Sequence, residues 1–250
     1  MSRGARRPLP RFLEVQPIDG PGARVVLGAE RAHQIGRVLR MGPEEGLVLV
    51  DGAGSAWQSV IRSATHKEVV VEVVAAADSA PEWQRPAVLA CAVIKGDRQE
   101  WLLEKVVELG LPVLQPLITA RGQVRPGQEG AKRQRWARLV AEATEQCERA
   151  VLMELRNPVT LDRLAVPDGW CLLLADETAS PEGAGLQAWA ERVNSAVGVV
   201  LCVGPEGGWT PEEREELRRR GAFAVSLGGS ILRAETAAVA AVVRLGLLLA

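Results

Sequence analysis

The sequence predicts an α/β protein with a mostly parallel sheet in its C-terminal two-thirds and a smaller β-rich region before it. Three observations carry this reading. From Val88 onward, short apolar runs alternate with amphipathic stretches of helical period, the rhythm of a parallel sheet covered by helices on both faces. A proline-marked stretch around Pro81 and Pro86 separates that rhythm from a first part made of short β-branched runs. Two glycine-rich segments, Val203–Trp209 and Leu227–Arg233, each follow a strand-like run and precede a helical one. In an open parallel sheet such loops meet at the carboxyl ends of neighbouring strands and form one composite site. The 250 residues, 47% apolar and 24% charged, suffice for a substantial core.

In chain order, Val25–Leu27, Leu47–Val50 and Val69–Val74 read as strands, with turns at Gly42-Pro43, Gly46 and Asp51–Gly54. A helix is expected over Ala29–Arg40, with Ile35, Val38 and Leu39 inward and His33, Arg37 and Arg40 on another stripe. Val88–Ile94 is a continuous apolar strand. Asp97–Glu100 has the pattern of a capping box, opening a helix that buries Leu102, Leu103, Val106 and Val107 and stops at Gly110. Pro112–Ile118 returns as a strand. A long helix comes next over Ala131–Ala150, with Trp136, Leu139, Val140, Ala143 and Cys147 inward. Trp170–Leu174, Val197–Val203 and Ala224–Leu227 are the remaining strands. Thr210-Pro211-Glu212-Glu213 starts a helix with a capping Thr, proline at its first position and Glu at its third. The last helix, Glu235–Leu249, is apolar almost all round and is expected to be buried on several sides or in a subunit interface.

The formal net charge is only −1, but arginine is unevenly spread. Residues 1–40 hold eight arginines, among them Arg3, Arg6, Arg7 and Arg11, against Glu14, Asp19 and Glu30. Residues 119–138 hold Arg121, Arg125, Lys132, Arg133, Arg135 and Arg138 against Glu129 alone. Two cationic patches on a neutral body suit a localised polyanion, or else a solvated surface. Cys91, Cys147, Cys171 and Cys202 lack metal-ligand spacing and read as reduced thiols of a cytoplasmic protein. No signal peptide and no membrane span is expected.

The residues also limit the chemistry. The loop Gly204–Gly208 is neither Gly-x-Gly-x-x-Gly nor a P-loop, which disfavours a dinucleotide or ATP enzyme. With no lysine or metal ligands for phosphates, it suits an adenosine ligand without phosphates, and S-adenosylmethionine is one. His33 and His66 lie far from both loops, so a Ser-His-Asp triad is not expected. The charged residues nearest the loops are Glu206, Arg233 and Glu235. For the last of these a helix-capping role is an equal alternative.

The runs Val203-Gly204-Pro205-Glu206-Gly207-Gly208-Trp209-Thr210 and Leu227-Gly228 to Ile231-Leu232-Arg233, then Glu235-Thr236-Ala237, resemble the ribosomal small-subunit RNA methyltransferase E family of the SPOUT superfamily. Further matching blocks are Arg11-Phe12, His33 with Val38-Leu39-Arg40-Met41, Asp51-Gly52 with Gly54, Lys95-Gly96-Asp97-Arg98, and Glu142-Ala143 with Gln146-Cys147 and Arg149. They run in order through nearly the whole chain. Departures are Pro10 before Arg11, where the family often has paired arginines, and Ala150 after Arg149, where proline is usual.

The resemblance implies a PUA-like RNA-binding β-barrel over residues 1–75 and a SPOUT methyltransferase domain over 82–250 with a C-terminal trefoil knot. It implies an enzyme that methylates N3 of a uridine in 16S ribosomal RNA, with S-adenosylmethionine as cofactor, no metal, and a homodimer as the assembly. Carried over, the cofactor loops supply Leu173, Ala175, Val203, Gly204, Pro205, Glu206, Gly207, Gly208, Leu227, Gly228, Ile231, Leu232 and Thr236. Arg233 would steady negative charge on the uracil ring, and Glu235 would orient Arg233 or help take the proton. Arg11, His33, Arg37, Arg40, Arg121 and Arg149 would bind RNA. Alternatives are a SPOUT protein acting on transfer RNA or 23S ribosomal RNA, and an RNA-binding module without catalysis.

Overall fold

A computed structural model describes residues 9–122, 130–179 and 185–249. The basic residues Arg3, Arg6, Arg7 and Arg125 lie outside them. The chain divides into two compact units, one of residues 1–80 with 144–152 and one of residues 81–143 with 153–250.

In the first unit, β1 (Arg11–Leu13), β2 (Arg24–Leu27), β3 (Gly46–Val50), β4 (Ala56–Ala64) and β5 (Val69–Ala76) form a sheet in the order β1-β3-β4-β5-β2. Only β1 and β3 run parallel. The sheet alternates as a half-buried sheet must: Val25 and Leu27 point inward while Val26 is exposed. Phe12, Ile35, Leu47, Leu49, Ile61, Val69 and Val71 fill the core. β1 and β4 were not expected from the sequence. The first is three residues long, and the second has register breaks at Gln58/Ser59 and Ile61/Ser63 that interrupt its period.

The helix expected over Ala29–Arg40 is shorter. α1 spans Ala29–His33 and passes into a π-helical turn over Gln34–Val38, with the Leu39 N–H donating to the Gln34 carbonyl at 2.9 Å. A bond five residues long inserts one residue into the turn and rotates the side chains beyond it. Ile35 stays buried as expected, but Val38 and Leu39 are turned out to solvent.

The expected division also changes in one place. Thr144–Leu152, assigned from the sequence to the second domain, belongs to the first unit. Its Glu145 accepts the Leu13 N–H at 2.7 Å and pairs with Arg31, which also reaches Glu14 at 3.2 Å. The Leu152 N–H closes on the Gly52 carbonyl at 2.9 Å.

The second unit holds β6 (Ala87–Ala92), α2 (Asp97–Glu108), β7 (Val113–Ile118), all but the last three residues of α3 (Gly130–Gln146), β8 (Glu154–Leu155), β9 (Val159–Thr160) and β10 (Trp170–Ala175). Beyond them come α4 (Leu186–Asn194), β11 (Gly198–Val203), α5 (Pro211–Arg219), β12 (Phe223–Val225) and α6 (Ala234–Leu249). The sheet order is β12-β10-β11-β6-β7-β8, with β9 also on β7, and every pairing is parallel. Every residue of β6 and β11 is buried, as central strands covered on both faces require.

The expected capping box at Asp97–Glu100 is absent. The N-cap is Gly96 at φ 63, and Gln99 instead turns back to accept the Ile94 N–H. The box at Thr210–Glu213 forms in full. α6 packs on α2, α4, β6 and β11 and is buried on several sides as expected, with Thr236, Val243 and Leu247 alone exposed among its described residues. Burial holds the Cys91 and Cys202 thiols up at about 12 and Cys171 at about 11, far from a reactive thiolate. Among the described residues no helix is long and apolar enough to cross a membrane.

Candidate active site

Parallel strands end their carboxyl termini on one edge of a sheet, and the loops leaving that edge enclose a cavity. Here the loops after β10, β11 and β12 bring Ala175–Glu177, Val203–Trp209 and Ser226–Leu232 together, with Ala234 and Ala237 from α6. The loops bound about 880 Å³ of space including its open mouth.

Backbone geometry explains the glycines. A Cβ on Gly204 would lie 3.0 Å from the Trp209 ring, whose Nε1 donates to the Ala175 carbonyl and ties the second loop to the first. Gly228 has φ 134, a conformation open to glycine.

Each loop is also held by an arginine. Arg214 donates to the Trp209 carbonyl at 2.9 Å and to Asp176 and Glu177 at 3.3 and 2.5 Å. Arg121 donates to the Gly207 carbonyl at 2.8 Å. Arg244, half-buried on α6 and over the Trp189 ring, donates to the Ser226 and Leu227 carbonyls at 2.7 and 3.1 Å. A guanidinium's fork of donors suits two successive carbonyls.

Three carboxylates stand out. The Asp176 side chain is 0% exposed and accepts from Thr178. Its Oδ2 lies 3.3 Å from Arg214 Nε and accepts no hydrogen bond among the described residues. Arg98 on α2 sits 2.5 Å from Glu206 Oε1 and 3.9 Å from Glu235 Oε2, and the latter oxygen is buried without a hydrogen bond among the described residues. Among those residues, too, no cluster has the makings of a metal site.

A family model for an RNA methyltransferase domain matches residues 81–246, and one for an RNA methyltransferase PUA domain matches residues 27–74. The ribosomal RNA small subunit methyltransferase E of Synechocystis is 35% identical to this chain, covering 95% of it and 77% of the relative. The chain belongs to the ribosomal RNA small subunit methyltransferase E family. A crystal structure of the methyltransferase E of Neisseria gonorrhoeae, bound to S-adenosyl methionine, covers 96% of this chain and 98% of its own at TM-score 0.83 and 29% identity. A Legionella pneumophila methyltransferase in complex with the same cofactor covers 94% and 96% at TM-score 0.80 and 32% identity.

In this chain Ala175, Val203, Gly204, Pro205, Glu206, Gly207, Gly208, Leu227, Gly228, Ile231 and Leu232 all line the cavity. Leu173 does not, being wholly buried in the sheet, and Thr236 is exposed outside the lining. Asp176 also lines the cavity, at the end of the loop Leu173–Asp176 that the resemblance assigns to the cofactor, whereas Glu177, Trp209 and Ser226 line it without having been expected as contacts. The residues fit S-adenosylmethionine. The Asp176 oxygen without a hydrogen bond offers an acceptor to an amine or hydroxyl, and Val203, Leu227, Ile231 and Leu232 offer apolar surface to a base.

The expected partnership of Glu235 with Arg233 is corrected. The cation beside Glu235 is Arg98, while Arg233 is exposed and its side chain makes no hydrogen bond or ion pair among the described residues. Of the arginines expected to grip RNA, Arg149 is 1% exposed and so faces no solvent. The Arg11 side chain is 11% exposed, and its Nη2 is taken by the Asp78 carbonyl at 2.6 Å, with Glu148 at 3.6 Å. Arg121 is exposed but is engaged at Gly207. His33, Arg37 and Arg40 are exposed.

Proposed function

We propose that this chain transfers a methyl group from S-adenosylmethionine to N3 of one uridine in 16S ribosomal RNA, acting in the cytoplasm as a homodimer. The observation that carries the reading is the cavity built from three strand-end loops, in a chain of the methyltransferase E family. When bound, S-adenosylmethionine supplies an electrophilic methyl carbon on a sulfonium. Asp176 and the backbone of the Val203–Trp209 and Ser226–Leu232 loops would hold it, and the apolar lining would keep water away.

The chain's own task is the proton on N3, which must leave for the nitrogen to act as a nucleophile. Arg233 is next in sequence to cavity residues Leu232 and Ala234 and its side chain has no partner among the described residues. Its position supports a role in holding a uracil oxygen as charge develops there. Glu235 has a carboxylate oxygen with no hydrogen bond among the described residues, which supports acceptance of that proton, with the Arg98 guanidinium 3.9 Å away. Exposed His33, Arg37 and Arg40 would meet phosphates.

A C-terminal trefoil knot is supported by the route of the chain, which leaves edge strand β12 and returns as α6 onto β11 and β6. Exposed Trp101, Val243 and Leu247 on the packed pair α2 and α6 support the homodimer. The test is a map of methylated nucleosides in ribosomal RNA from cells with and without the gene. Loss of one N3-methyluridine from 16S ribosomal RNA is expected, and an unaltered map would overturn the reading.

A further inference from the structure

We propose that the exposed run Gly36–Arg40 of the first unit docks a single-stranded stretch of the RNA substrate. Val38 and Leu39 meet the face of an unstacked base, and Arg37 and Arg40 take the phosphates beside it. This rests on the RNA methyltransferase reading above and adds a substrate class to it.

Adjoining observations carry the inference. The π-helical turn over Gln34–Val38 turns out two aliphatic side chains that α-helical spacing would bury, leaving Val38 64% and Leu39 44% exposed. π-Helical turns inside helices are rare and collect at functional sites. Arg40, with φ 57, follows the C-cap Leu39 in the left-handed conformation in which helices commonly end, and the Met41 N–H closes on the Ile35 carbonyl. The Arg37 and Arg40 side chains make no ion pair or hydrogen bond among the described residues.

The surroundings leave the positive charge uncompensated. Arg31, on the same helix, is held by Glu14 and Glu145. Glu44 pairs with Arg62, and Glu45 accepts the Gly42 N–H. Among the described residues, nothing lies within 4 Å of where a Gly36 Cβ would be, so the surface there is open to a ligand.

An apolar pair between two free arginines selects among polyanions. The major groove of an RNA duplex is too deep and narrow for side chains, and its minor groove presents hydroxyls. A base face becomes available to aliphatic carbon only where the strand is unpaired and the base is splayed out. The apolar contact is insensitive to salt, whereas the phosphate contacts release counterions, and this difference makes the two halves of the patch separable.

The experiment titrates the full chain with two labelled RNAs of equal length across a range of salt. One is a hairpin with an unpaired loop and the other a blunt duplex. Val38→Ser with Leu39→Ser should weaken hairpin binding about tenfold, leave its salt slope intact and leave duplex binding unchanged. Val38→Met with Leu39→Met should restore hairpin affinity. Arg37→Gln with Arg40→Gln should reduce the slope of log K against log salt by about 1.4, two single-strand phosphates' worth.

Hairpin affinity unchanged in the serine variant, beside normal RNA binding by the unaltered protein, overturns this inference and leaves the methyltransferase reading standing. Equal weakening for hairpin and duplex also overturns it, as does a shift of the serine variant toward monomer in sedimentation, which would assign the patch to a second copy of the chain. Failure of the unaltered protein to bind either RNA overturns both.

Discussion

Arginine serves opposite ends in the cavity of the second unit and in the turned-out run of the first. Around the cavity, Arg214, Arg121 and Arg244 spend their donors on the carbonyls of Trp209, Gly207, Ser226 and Leu227, so each loop is fixed from outside. In the Gly36–Arg40 run, the Arg37 and Arg40 side chains have no partner among the described residues. One residue type builds a rigid site where carbonyls converge and a receptive surface where none are within reach. Counting arginines along the sequence cannot separate these uses, and the contrast can be broken at several points.

The largest effect is expected at Asp176. Asp176→Ala removes the fully buried carboxylate beside Arg214, leaving Glu177 as that guanidinium's acid partner, and should cost about 3 kcal/mol in urea unfolding. Arg37→Gln should stay within about 0.5 kcal/mol of the parent in the same assay. Next comes Arg233→Ala, where turnover should fall about 100-fold while S-adenosylmethionine affinity by calorimetry survives. Survival of turnover would remove Arg233 from the chemistry.

Arg244→Met keeps the stem and deletes the donors to two carbonyls. It should weaken the cofactor about tenfold by calorimetry without altering RNA affinity. Thr210→Ala removes the capping hydroxyl of α5 and should cost about 1 kcal/mol on unfolding.

The smallest effect concerns the first unit. Burial raises the Glu14 carboxyl above its ordinary 4.5 despite the neighbouring Arg31. The folded protein therefore holds that proton more tightly than the unfolded chain does. The resulting stabilisation is complete below pH 4.5 and is lost as pH rises through the folded value. Urea unfolding across this range should show that gain on acidification in the parent and not in Glu14→Gln.

The sheet of the second unit was legible because β6, β10 and β11 are continuous apolar runs, which need no knowledge of their neighbours. The glycine loops were legible for a similar reason, since Gly204 and Gly228 answer local demands of the backbone. Less could be read where a residue's role depends on a distant partner. Arg98 lies more than a hundred residues from Glu206, and no local spacing joins them. Arg149 and Arg11 are surface-like in sequence and are claimed by the protein itself. Val38 and Leu39 misled for a different reason: the α-helical period was applied across a turn that does not keep it.

The return of Thr144–Leu152 to the first unit means that the protein cannot be halved with a single cut. A fragment ending at Ala80 would lack the Glu145 carboxylate that receives the Leu13 amide and neutralises Arg31, and Gly52 would lose Leu152. Neither half can be transplanted as a cassette, so exchange between relatives must carry both crossings of the chain together.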